Sequence, residues 1–182
     1  MRYRFFISIC VALLPMSVFT QSLVLPDRMW SNTYYIVSPG SRYESNWIKF
    51  EGDTTIADTL YRKVYRSDSE SQDDWYLFGA IFEDSSKRVF LNKENIKYLL
   101  YDFKLEKGDS ILTRHGHYVY VADTYNIYSE SFADSLKRID FSFIRDDGLV
   151  EGYWIEGIGS SHGILEGANN VGLVGGAWAM VC

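Results

Sequence analysis

Apolar and polar positions alternate along much of the chain. Residues 136–144 (LKRIDFSFI) give the cleanest instance, with Ile139, Phe141 and Phe143 on one face and Arg138, Asp140 and Ser142 on the other. That period of two is the mark of a strand with one wet face. Arg145-Asp146-Asp147-Gly148 then offers an Asp-Gly turn and LVEGYWIE returns, so 136–156 reads as a β-hairpin. Residues 75–82 (WYLFGAIF) are apolar on both faces, as in a central strand between two layers, and after the polar EDSSK segment RVFLN follows as its partner. Further strands are expected over 34–37, 47–51, 60–66, 110–113 and 117–123. A turn about every eight to twelve residues is the rhythm of antiparallel hairpins. The expected fold is therefore all-β, a sandwich or partly open barrel.

One segment argues the other way. In NIKYLLYDFKL, Ile96, Leu99, Leu100 and Phe103 fall at i, i+3, i+4 and i+7, a helical stripe. Lys107-Gly108-Asp109 would serve as a helix stop or a hairpin turn, and strands on either side favour an extended reading over 98–105.

Composition sharpens the picture. Aromatic residues reach 16%, with 14 Tyr, and only 3 Pro occur; side chains of this kind suit a half-buried pleated surface. The first 20 residues differ, with Arg2 and Arg4 ahead of an apolar stretch from Phe5 to Phe19 and a candidate cleavage site at Val18-Phe19-Thr20. That order is a secretory signal peptide, too short and too interrupted by Pro15 to span a bilayer. Residues 21–182 then form a single β-rich domain, expected in the periplasm, at the outer membrane or outside the cell. The leader carries two arginines and no acids, so the whole-chain charge of −6 becomes −8 after its removal. Such a surface does not favour nucleic acid. Loss of Cys10 leaves Cys182 alone, which excludes an internal disulfide.

The succession GDTTIADTLYRKVY (52–65), GAIFEDSSKRVF (79–90), YLLYDFKLEKGDSI (98–111) and WIEGIGSSHGIL (154–165) resembles a family of uncharacterised exported domains of the Bacteroidetes group. These often precede a C-terminal sorting signal of the type IX secretion system. The resemblance implies an exported, mostly β domain and supplies no catalytic residue, substrate or cofactor. In that family the WIEGIGS block is followed by an apolar stretch ending near a C-F pair and another hairpin. Here GGAWAMVC stops at the cysteine, which suggests a chain truncated at its C-terminal end.

Candidate chemistry centres on Gly159-Ser160-Ser161-His162-Gly163, which fits the G-x-S-x-G string of a nucleophile elbow. An esterase built on Ser161 is the alternative to a non-catalytic domain. Glu166 is the only acid after Ser161, and His162, its immediate neighbour, is not expected to reach round to the hydroxyl. The favoured reading is a structural turn built from Trp154, Glu156, Gly157, Gly159, Ser160 and Gly163, with the Glu156 carboxylate accepting bonds from backbone N–H groups of the turn. A phosphate cradle is disfavoured because the turn lacks Lys and Arg. His115 and His117 share a strand face with Val119 and Val121 but make only two metal ligands. Asp68, Glu70, Asp73 and Asp74 crowd one loop without the spacing of a calcium-binding EF-hand. No pattern calls for a cofactor. Trp30, Trp47, Trp75, Trp154 and Trp178, with the tyrosines, are the pool from which an exposed sugar-stacking platform would be drawn.

Overall fold

The computed structural model describes residues 22–26, 28–36, 42–113, 116, 118–130, 133–145, 148–167 and 178–181. The chain is all-β, with no α-helix among the described residues and two curled antiparallel sheets packed together. The first sheet begins as a meander of β1 (Met29–Ile36), β2 (Arg42–Ile56), β3 (Thr59–Ser67), β4 (Tyr76–Glu83), β5 (Arg88–Lys93) and β6 (Ile96–Asp102). A second meander follows: β7 (Ser110–Leu112), β8 (Tyr118–Ser129), β9 (Asp134–Arg145), β10 (Gly148–Ile155) and the short β11 (Gly159–Ser160). The last strand, β12 (Trp178–Val181), returns to the first sheet and pairs with β1.

The hairpin expected over 136–156 is β9 and β10, paired from Arg145↔Gly148 onward. Two other hairpins turn on a pair of non-glycine residues that both have positive φ. Ala57-Asp58 joins β2 to β3 at φ 45° and 59°, and Glu94-Asn95 joins β5 to β6 at φ 53° and 63°. Positive φ at both central residues is the type I′ geometry, whose twist matches that of the flanking strands.

β2 and β8 run well past the expected 47–51 and 117–123. Each contains a bulge, between Phe50 and Asp53 in one and between Val121 and Asp123 in the other. A bulge inserts an unpaired residue and reverses which side chains face the core, so the alternation stops while the strand continues. The extended reading of 98–105 holds as far as Asp102. Its helical stripe has the same cause: register slips opposite Val89 and Phe90, which places Leu100 and Tyr101 both in the core while Ile96 is 52% exposed. β4 departs from a strand buried on both faces, because Tyr76 and Leu77 are exposed. Its apolar pattern reports a sheet whose outer surface is itself aromatic and aliphatic.

The core lies between the sheets. Trp30, Ile48, Phe50, Val64, Ile81, Val89 and Leu91 come from the first, and Ile111, Val119, Val121, Ile139, Phe141 and Trp154 from the second. At its centre the ring of Trp154 meets Phe141 at 4.4 Å, Tyr101 at 5.0 Å and Phe103 at 6.2 Å, tilted or edge-on in each case. Such contacts add to the large area each ring buries. Leu23, fully buried, joins the core, held by its own N–H and the Ser22 hydroxyl donating to the Glu83 carboxylate at 2.8 and 2.7 Å.

Candidate functional site

The turn that follows β10 is tied to the first sheet at several points. Gly157 and Gly159 take φ of 77° and 122°, and Gly163 takes 108°, which reverses the chain after Ile155 and again after His162. Arg28 donates to the Gly157 carbonyl and the Trp30 indole N–H donates to that of Ile158 at 3.0 Å. From β6, the Tyr101 hydroxyl donates to the carbonyl of Ile164 at 2.7 Å. Ser160 is buried, and its Oγ accepts the His162 N–H at 3.1 Å. A Cβ on Gly159 would stand 2.8 Å from Ile164 Cδ1, and one on Gly163 3.2 Å from Asn32 Oδ1. The segment therefore accepts no larger residue at these glycines without displacement. Glu156 differs from expectation. Its carboxylate faces Lys87 Nζ at 3.3 Å, and Lys87 also reaches Glu83 at 3.5 Å. In this charge triad Lys87, from the β4–β5 turn, links Glu83 at the end of β4 with Glu156 just after β10.

Ser161 and His162 also depart from expectation. The imidazole does reach the hydroxyl, with Nδ1 3.0 Å from Oγ. What surrounds the pair is unlike a nucleophile elbow. Ser161 Oγ accepts the Tyr153 N–H at 3.1 Å and the Ser161 N–H donates to the Tyr153 carbonyl at 2.9 Å, extending the β10–β11 ladder. Turns rather than an α-helix follow it over 161–166. Among the described residues no carboxylate is bonded to His162 to orient it as a base. Burial pushes the His162 imidazole below its ordinary pKa.

The other sequence candidates are dispersed. His115 and His117 lie outside the described residues, and no group of three metal-ligating side chains occurs among those described. The carboxylates of the acidic loop turn to separate partners: Asp68 pairs with Arg66 at 2.7 Å, and Asp74 accepts from the Ser67 hydroxyl. Hydrogen bonds from Ser71 and Ser69 draw Asp73 below the usual carboxylate range. Of the tryptophans, Trp30 and Trp154 are core residues, Trp47 and Trp75 are half-buried, and the Trp178 side chain lies outside the described residues.

Among the described residues the exposed aromatic side chains are Tyr76 on β4 and Tyr118, Tyr120, Tyr125 and Tyr128 on β8. Tyr118, Tyr120 and Tyr125 are 59%, 56% and 43% exposed. Val119 and Val121 point into the core, so Tyr118 and Tyr120 point out. The bulge at Ala122 reverses the parity and keeps Tyr125 on that same outer face. Tyr120 is flanked in register by Ser110 on β7 and Ser142 on β9. Beside Tyr125, the Arg138 guanidinium lies 4.0 Å from the Tyr153 ring centroid and 5.6 Å from that of Tyr125, while its Nε donates to Asp140 at 2.7 Å. Partial burial and the facing Asp140 carboxylate raise the Tyr125 pKa. The Y-V-Y-V run at 118–121 carried the signal for the first two tyrosines; Tyr125 is legible only once the bulge is seen.

No protein-family model, curated protein or solved structure matches this chain.

Proposed function

We propose that the chain is an exported, non-catalytic recognition domain that holds carbohydrate on the outer face of its second sheet. The carrying observation is the alignment of Tyr118, Tyr120 and Tyr125 on one open face, with Ser110, Ser142 and the Arg138–Asp140 pair beside the rings. Tyrosine rings give sugar C–H faces a stacking surface at little entropic cost, and the flanking hydroxyls and ion pair offer bonds to ring hydroxyls. The leader at residues 1–20 and the resemblance to exported domains support delivery to the periplasm, outer membrane or medium. A glycan array probed with the full chain, followed by titration of the best ligand, tests this reading. Tyr120→Ala and Tyr125→Ala are expected to weaken binding at least about tenfold with unchanged melting temperature. Binding to no glycan, or binding indifferent to both substitutions, overturns it.

A serine hydrolase is the second reading, favoured by the Ser161–His162 contact alone. Hydrolysis of a p-nitrophenyl ester that disappears in Ser161→Ala would support it; equal rates in the two proteins are expected here.

A further inference from the structure

We infer that the outer face of the first sheet is a second binding surface, for an acidic polysaccharide bearing carboxylates on its sugar rings. Cross-strand register puts Lys63, Ala80, Asn92 and Lys97 in one row over β3, β4, β5 and β6. Their neighbours in sequence, Val64, Ile81 and Leu91, are core residues, so this row faces outward. Two cations thus stand at either end of this row, three strand spacings apart, or roughly 14 Å between backbones, with the half-buried Asn92 between them and Ala80 buried beneath its neighbours.

Neither lysine is neutralised. Across a chain of net charge −6, Lys49, Lys87, Lys107 and Lys137 each meet a carboxylate, whereas Lys63 and Lys97 meet none among the described residues. Lys97 is held by aromatic rings instead, with Nζ 4.2 Å from the Phe90 centroid and 4.8 Å from that of Phe82. A cation–π contact positions an ammonium without cancelling its charge, leaving its remaining donors for an anion. The rings themselves form a ladder, Tyr61 to Phe82 at 4.7 Å and Phe82 to Phe90 at 5.2 Å.

Exposed aliphatic groups flank the row, Leu77 at 59% and Leu99 at 37%. A ligand that fits is therefore anionic at intervals and apolar between, as a uronate polymer is, with carboxylates for the ammonium groups and ring C–H faces for the leucines. A polyphosphate has no C–H faces and would leave these apolar groups without a partner. This face is distinct from the tyrosines of the second sheet.

The test is affinity electrophoresis of the full chain in gels containing polygalacturonate, its fully methyl-esterified form, or inorganic polyphosphate. Retardation by polygalacturonate only is expected, weakened at least about tenfold in Lys63→Gln/Lys97→Gln and unaffected by Tyr120→Ala. Melting temperatures establish that the variants fold. No retardation by polygalacturonate, retardation indifferent to the lysine substitutions, equal retardation by the esterified polymer, or stronger retardation by polyphosphate overturns the inference. Because the tyrosine face is probed by separate variants, its failure and the failure of this surface are distinguishable.

Discussion

The Tyr101 hydroxyl donates to the Ile164 carbonyl at 2.7 Å, joining the edge strand of one sheet to the turn that closes the other. Both groups are buried, and the phenol lies edge-on to Trp154. Tyr101→Phe leaves that carbonyl without its donor and is expected to cost about 1–3 kcal/mol, measured by urea unfolding. Burial, and secondarily the charge of Glu166, raises the Tyr101 pKa far above its ordinary value. The folded state therefore keeps the proton that the unfolded chain releases above about pH 10. Stability is fully present below that pH and declines as pH rises beyond it. Tyr101→Phe is expected to show a shallower alkaline decline than the parent protein.

Gly52 and Gly167 share a left-handed backbone, with φ of 71° and 52°, but not the same surroundings. A Cβ on Gly52 meets nothing within 4 Å, whereas one on Gly167 would stand 2.2 Å from the Leu100 carbonyl oxygen. Gly52→Ala is expected to cost about 1 kcal/mol from backbone conformation alone. Gly167→Ala is expected to cost about 2–4 kcal/mol because backbone must move. Denaturation midpoints of the two variants check the order.

Glu156→Ala removes one arm of the triad but leaves Lys87 with Glu83. The expected loss is about 1 kcal/mol. Lys87→Met strands two carboxylates, one of which, on Glu83, is nearly buried and also holds Ser22 and Leu23. A loss of about 3 kcal/mol is expected there. Melting temperatures equal to the parent's in both variants would show that the triad does not hold the sheets together.

His162 has its pKa lowered by burial. The unfolded chain then binds a proton that the folded chain resists, so stability is present above about pH 6.5 and lost as pH falls through the lower, folded value. Thermal melting between pH 7 and pH 5 should decline more steeply for the parent protein than for His162→Gln.

Much of the fold was legible from local pattern. Ile139 and Phe141 alternate with charged neighbours, and both are in the core. The period-two signal survives wherever a strand has one wet face, and there it marks the strand and its buried side together. The turns were less legible: Ala57-Asp58 and Glu94-Asn95 adopt a geometry usually announced by glycine. Of the turn after β10, the glycines were visible in sequence, whereas the ties from Arg28, Trp30, Lys87 and Tyr101 come from residues 62 or more positions away.

By itself, then, the sequence determined the all-β character and the inward face of each strand between bulges, because hydrophobic burial acts residue by residue along a pleat. Tertiary structure decided the rest. The bulge at Ala122 placed Tyr125 beside Arg138, and register across four strands set Lys63 and Lys97 in one row. Such placements depend on hydrogen-bonded pairing between distant segments, which no local alternation encodes.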